Sequence, residues 1–133
     1  MEFLTSREIT VMNRRLQETY GTSQLIRDSE ALDYIVKSAS QEVFGRRLYD
    51  SVEQLSAYYL IKITKKHIFN DANKRTAFLA TNKFLKKNGF KFAVPKQYEI
   101  ANLIIEVAKV NGEPDSLCNH VETILTESIF KKS

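Results

Sequence analysis

The chain has no tryptophan, one cysteine, two prolines and four glycines. A lone Cys118 excludes an intrachain disulfide, and beyond His120 no further Cys or His lies nearby to complete a zinc site. That usage fits a reducing compartment, so a cytoplasmic location is expected. No apolar run approaches the roughly 18 residues that a membrane span needs. The first residues lack a basic region followed by an apolar stretch and a small-residue cleavage site, so no signal peptide and no membrane partner are expected. Charge of one sign is also in short supply. Twenty Lys and Arg against 16 Asp and Glu leave a formal +4, which permits nucleic-acid contact without arguing for it. A direct nucleic-acid partner is not expected.

What remains is the composition of a folded domain. The chain has 133 residues, 43% hydrophobic and 27% charged, enough to bury one core, and residues 1–133 read as a single domain. No repeat, low-complexity tract or linker interrupts it. Helical spacing dominates. Thr5-Ser6-Arg7-Glu8 forms a capping-box pattern. Behind it Ile9, Met12, Leu16 and Tyr20 form a stripe ending at Gly21. Asp28 or Ser29 opens a second helix carrying Leu32, Ile35 and Val36. Asp50 to Glu53 resembles another capping box, opening a helix that runs to about Lys66. Its Ala57-Tyr58-Tyr59-Leu60-Ile61 core is apolar on every side, as in a buried central helix. A fourth helix closes at Asn88-Gly89. Pro95 precedes a fifth bearing Ile100, Leu103, Ile104, Val107 and Ala108, which stops at Asn111-Gly112. The last begins at Asp115 or Ser116 and reaches about Phe130. Glu42 to Tyr49 and Phe90 to Val94 read as extended or irregular. Cys118 and His120 fall among Leu117, Val121, Ile124 and Leu125 at helical spacing, an ordinary helix rather than a nucleophile and its base. The expected fold class is all-α, a compact bundle of six to seven helices.

The stretch with the most chemistry is His67-Ile68-Phe69-Asn70-Asp71-Ala72-Asn73-Lys74-Arg75, directly before a helical run from Thr76 to Asn88. A helix starting near Asn73 leaves its first N–H groups unpaired, and with the helix dipole these make an anion site. Lys74 and Arg75 in the first turn are electrostatically unfavourable unless an anion is bound. Asp71, just outside the helix, is the kind of lone carboxylate that holds Mg²⁺ against phosphates. The His67 imidazole is of a type that takes a proton from a hydroxyl near neutral pH. Taken singly, each has a blander reading: Asp71 or Asn73 as an N-cap, Lys74 and Arg75 as a solvated face, His67 as a surface residue. Together they describe transfer from a nucleotide to a hydroxyl.

The segment resembles the signature of the Fic/Doc superfamily, and most closely its death-on-curing (Doc) branch. His67, Phe69, Asp71, Ala72, Asn73, Lys74, Arg75, Thr76 and Ala77 stand in the Doc form of the motif. Tyr20-Gly21, Arg27-Asp28, Phe78-Leu79-Ala80, Phe84-Leu85 and Asn88-Gly89 extend the likeness over roughly residues 3 to 127. The resemblance implies a Fic-type bundle with the motif loop between two central helices. It also implies a flap at about Glu42 to Tyr49, with Val43, Phe44, Gly45 and Arg46 docking a target segment by strand addition. By position, His67 would be the general base and Asp71 the Mg²⁺ ligand. Asn73 with the helix N-terminus would form the anion hole, and Lys74 and Arg75 would grip the phosphates of ATP. Lys65 stands where a Doc relative has an arginine two places before the histidine; as a candidate phosphate contact it keeps the charge without the bidentate fork. Leu79 stands where a relative has a polar asparagine.

Lys74 decides between reactions. Adenylylating Fic enzymes have glycine there; Doc-like proteins with lysine are understood to turn the nucleotide round and transfer the γ-phosphate to a threonine of elongation factor Tu, halting translation. The resemblance thus implies a protein Ser/Thr kinase toxin, with adenylyl transfer as the alternative. A non-catalytic or RNA-directed basic toxin is a third reading. No glutamate in the chain is followed by Gly or Asn, so the inhibitory Ser/Thr-x-x-x-Glu-Gly/Asn helix of many Fic proteins is missing, and a small Phd-like antitoxin acting in trans is the expected partner.

Overall fold

The computed structural model describes residues 1–93 and 97–131; Val94 and Pro95, where a strand end and a helix start were expected, lie outside them. Among the described residues the chain forms six helices and two short strand pairs. It is a mostly helical bundle, as the periodicity predicts. α1 (Ser6–Thr19) opens with the expected reciprocal box: Thr5 Oγ1 accepts from Glu8 N, and Glu8 Oε1 accepts from Thr5 N. α2 (Ser29–Ala39) is capped by Asp28, whose carboxylate accepts from Ala31 N. α3 (Val52–Lys65) starts one residue later than the sequence pattern implies. Ser51 is its N-cap, accepting from Gln54 N, and the Gln54 side chain returns to Asp50 N. Gln54, not Glu53, lies three residues beyond the true cap, and its side chain reaches the amide just before that cap rather than the cap's own.

α3 is the centre of the molecule. Leu55 to Ile61 and Ile63 are all buried, and the helix packs against α4 (Asn73–Lys87), α5 (Gln97–Lys109), α6 (Asp115–Ser128) and α2. Tyr59 is fully buried, its ring 5.1 Å from Phe84 of α4, and its hydroxyl accepts from Leu4 N. A helix apolar on all sides can sit only here, surrounded by the amphipathic faces of the others. No helix among the described residues is long and apolar enough to cross a membrane.

Two expectations are corrected and a third is made specific. The stripe of α1 is turned: Ile9 is buried and Met12 and Leu16 are half-buried, but Tyr20 is 52% exposed while Asn13 and Gln17 are fully buried. Hydrogen bonding, described below, makes that polar burial tolerable. The last helix stops at Ser128 rather than Phe130, because Ile129–Lys131 (β4) pair antiparallel with Phe90–Phe92 (β3). Both strands are β-favouring, and Lys91 lies over the Phe130 ring. The segment read as extended or irregular at 42–49 contains a true hairpin, with Glu42–Val43 (β1) pairing Arg46–Arg47 (β2). Phe44 and Gly45 both have positive φ, as a two-residue hairpin turn of this twist requires.

Candidate active site

Six of the motif's chemistry-bearing residues gather in one place. The loop between α3 and α4 and the first turn of α4 form one side of a cleft of about 760 Å³, and the α5–α6 connection around Asn111 and Gly112 forms the other. Lys65, His67, Asp71, Asn73, Lys74 and Arg75 all line it. The flap residues Val43, Phe44, Gly45 and Arg46 do not; they stand apart on the hairpin, where Phe44 is fully exposed.

The loop is held from below. Ile68 and Phe69 are buried and act as anchors. Ile68 O accepts from Arg27 N (2.7 Å) and Asp28 N (3.1 Å), Asn70 N donates to Leu25 O, and Ile26 bridges Phe69 in antiparallel fashion. The Asn73 side chain folds back onto the same loop, accepting from Phe69 N and donating to Phe69 O. This over-determination lets two non-glycine residues keep left-handed backbone, His67 at φ +47° and Ala72 at φ +63°. Each such conformation costs about 1–2 kcal/mol.

Neither Asp71 nor Asn73 caps α4. Ala72 occupies the N-cap position, with no side chain bonded to the helix amides. The Asp71 carboxylate takes only Ala72 N through Oδ1 (2.8 Å), and Asn73 is engaged by Phe69. The opening amides of α4, which have no intrahelical acceptor, are therefore left to a ligand. Lys74 and Arg75 stand over them, exposed. Among the described residues Lys74 has no ion-pair or hydrogen-bond partner, and Arg75 has only the Tyr20 ring, 5.6 Å from its guanidinium carbon. Two such cations at a helix N-terminus, where the dipole opposes them, make an arrangement that a polyanion would stabilise. His67 is exposed and likewise makes no hydrogen bond or ion pair among the described residues.

The remaining cations of the cleft are occupied. Lys65 Nζ donates to Val107 O (2.9 Å) and to Val110 O, fastening the end of α5 to the end of α3. Lys62 and Lys66 hold Glu113 at 2.7 and 3.4 Å. Burial pushes the Glu113 carboxyl up, but hydrogen bonding and charge from the two lysines outweigh it and leave it below its ordinary value. Lys65 thus stands at the cleft with its ammonium turned to backbone carbonyls.

No group of three His, Cys, Asp or Glu that could hold a metal by itself occurs among the described residues. The donor set does fit Mg²⁺, which binds through one or two carboxylates completed by phosphate oxygens and water: Asp71 is exposed in the cleft, with Oδ1 engaged only by the neighbouring amide. Cys118 is half-buried on α6, and burial, with Glu113 and Asp115 nearby, pushes its thiol up. That is the opposite of an activated nucleophile.

Sequence reasoning missed a second set of residues beneath the loop. Asn13 and Gln17 of α1, each fully buried, bond to the backbone and side chains of the motif. The available signal was the pairing of two amides four residues apart beside an apolar stripe, with Asn70 and Thr76 as further short polar groups inside the motif.

The family model described as Fic/DOC family matches residues 3–85. The chain is similar to the protein described as Protein kinase doc of Escherichia phage P1, at 31% identity over 109 residues, covering 81% of this chain and 83% of that protein. It is also similar to Toxin Doc of Mycolicibacterium smegmatis, at 31% identity over 99 residues, covering 74% and 76% respectively.

Proposed function

The chain belongs to the Fic/DOC family, and from that membership we propose that it is a Doc-type toxin that moves the γ-phosphate of ATP onto a Thr or Ser hydroxyl of a cytoplasmic protein, with elongation factor Tu as the target. The observation that carries this reading is the unpaired Lys74 and Arg75 at the open N-terminus of α4, in the same cleft as His67 and Asp71. Phosphoryl transfer is mostly positioning and charge stabilisation, and those are what this cleft offers.

The roles follow from placement. The α4 amides and the Lys74 and Arg75 cations receive the phosphates and take up the charge that develops on them. Asp71 would hold Mg²⁺, which when bound would supply neutralisation of phosphate charge. His67 accepts the proton of the incoming hydroxyl, whose oxygen bonds to the γ-phosphorus as the bond to the β–γ bridging oxygen breaks and ADP leaves. Phe69 keeps the loop in the core. Asn73 contributes its backbone amide to the anion hole, while its side chain fixes the loop. The hairpin of β1 and β2 presents the target: among the described residues β1 pairs only with β2, which leaves its outer edge to an extended peptide, with Val43 and Phe44 exposed beside it.

Control would come from a Phd-like antitoxin. A groove between α1, α4 and α5 runs up to the site, with Leu16 and Leu79 common to its two halves. Its rim carries Arg15, Lys83 and Lys86 at one end and Lys74 and Arg75 at the other. An acidic amphipathic helix laid there would bury its apolar face and set a carboxylate against the cations meant for phosphate.

Incubation of purified elongation factor Tu and this chain with α- or γ-labelled ATP tests the reaction. Label from the γ position alone is expected; label from the α position would replace phosphoryl with adenylyl transfer. His67→Ala should lower the rate about 10²–10⁴-fold with an unchanged melting temperature. Translation arrest that persists in that variant would defeat chemistry at His67.

A further inference from the structure

We propose that Asn13 and Gln17, together with Thr76, are positioning residues that set the Asp71–Ala72 turn, and with it the direction of the Asp71 carboxylate and the open amides of α4. The inference rests on the proposed nucleotide site but on different atoms.

The hydrogen bonds form one closed set. Asn13 Nδ2 donates to Asp71 O (2.8 Å) and to Thr76 Oγ1 (3.1 Å). Asn13 Oδ1 accepts from Gln17 Nε2 (2.8 Å) and Gln24 Nε2 (3.0 Å). Gln17 Nε2 also donates to Asn70 Oδ1 (2.8 Å), with a longer contact to Asp71 O (3.4 Å). Thr76 Oγ1 passes its own proton to Ala72 O (2.7 Å). All four hydrogen-bonding positions of the Asn13 amide are thereby used. Asn13, Gln17 and Thr76 are each fully buried.

Three of these bonds end on the turn itself, two on Asp71 O and one on Ala72 O. The carbonyls of Asp71 and Ala72 lie on the two sides of the residue at φ +63°, and both are fixed by them. A helix needs no such wiring to start; N-caps do that with one short side chain. Here the cap position is an alanine with no capping bond, and the conformation is imposed from α1 instead. The consequence is functional. A side-chain cap would occupy the amides that a phosphate must reach, whereas a clamp on the carbonyl side leaves them open and still fixes where they point. Asn70, held by Gln17, Leu25 N and Ser23 O, ties the segment before α2 into the same set, so the loop cannot shift without breaking several bonds at once.

The test uses Gln17→Met, which keeps the length and removes the donor, and Thr76→Val, which keeps the shape and removes the hydroxyl that joins Asn13 to Ala72 O while the backbone bond from Thr76 N to Ala72 O stays. In the ligand-free chain, amide chemical shifts and hydrogen exchange are read at Asp71–Thr76 and on α6. Both variants should move the 71–76 amides and raise their exchange at least tenfold while leaving α6 unchanged. With Mn²⁺·ATP as probe, followed by paramagnetic relaxation, half-saturation should rise at least tenfold in both, and the Michaelis constant for nucleotide should rise more than the turnover number falls. Folded variants with wild-type 71–76 amides would overturn the inference, as would wild-type Mn²⁺·ATP affinity in a chain whose unmodified form binds it. Failure of the unmodified chain to bind Mn²⁺·ATP would sink the proposed function, while the ligand-free amides would still decide the clamp. Should one variant not fold, the other carries the same readings.

Discussion

At the residue scale the site is defined by positions that go against local preference. His67 and Ala72 hold left-handed backbone without being glycine, and Lys74 and Arg75 sit at the end of a helix where the dipole opposes them. Each is a small local cost, tolerated because buried anchors and the Asn73 staple fix the loop. Ala72 offers the clearest measurement. Its side chain is a single methyl, so replacement by glycine removes the left-handed penalty and adds unfolded-state entropy of comparable size. Ala72→Gly is therefore expected to change stability by less than about 1 kcal/mol. Ala72→Val, β-branched at positive φ, should lose more than about 2 kcal/mol. Urea unfolding of both variants measures the difference, and equal midpoints would show that the turn carries no strain. These positions were partly legible in the sequence: the motif names its own residues. The strain was not, because positive φ at His and Ala has no sequence mark of the kind that glycine gives.

At the element scale, what could be read was whatever depends on period and caps. The Thr5–Glu8 box, the Asp28 cap, the all-apolar α3 and the Gly21, Gly89 and Gly112 stops are local signals, and each lies where the pattern places it. What could not be read depends on partners far away in sequence. Ile129–Lys131 is a helix continuation by period and a strand only because Phe90–Phe92 lies alongside. Asn13 and Gln17 look like solvated positions until the motif loop covers them. Lys65 belongs to the same class. Its position before the histidine implies a phosphate ligand, but its ammonium is bonded to two carbonyls at the end of α5, a favourable place for a cation. A Lys65→Met substitution then separates the two roles. Loss of a structural clamp lowers the melting temperature and increases hydrogen exchange in the last turn of α5, with the Michaelis constant for nucleotide within about twofold of wild type. If Lys65 instead grips phosphate, that constant rises about tenfold or more, as expected for one lost charge-assisted contact of roughly 1.5–3 kcal/mol, with little change in exchange.

At the scale of the whole molecule, two carboxylates tie the walls of the cleft to the bundle, and both make it sensitive to acid. Glu8 of α1 is held by Lys87 at 2.8 Å and Lys83 at 3.8 Å from α4, and Glu113 joins the α5–α6 connection to α3. For each, burial alone would raise the carboxyl, yet hydrogen bonds and lysine charge bring the net value below the ordinary 4.5. A folded-state value below the unfolded one means that the unfolded chain takes up protons first as pH falls. The stabilisation is therefore complete above about pH 4.5 and is lost on descending through the lower folded values. The alkaline side is set by tyrosines of the core. Burial pushes Tyr59 up to about 12 and raises Tyr58 and Tyr49 as well. Their contribution is present below the ordinary value of 10 and is lost as pH climbs through the raised ones. Stability should thus form a plateau between about pH 5 and 9. Glu8→Gln and Glu113→Gln address the acid limb separately. Glu8→Gln should flatten the fall between pH 5 and 3 in urea midpoint, because the variant has no proton to take up, and should loosen α1 against α4 at all pH values. Glu113→Gln should flatten the same limb and raise hydrogen exchange only around residues 107–113. An acid limb left unchanged in the double variant would place the responsible protons elsewhere and remove both pairs from the account of how the cleft is held.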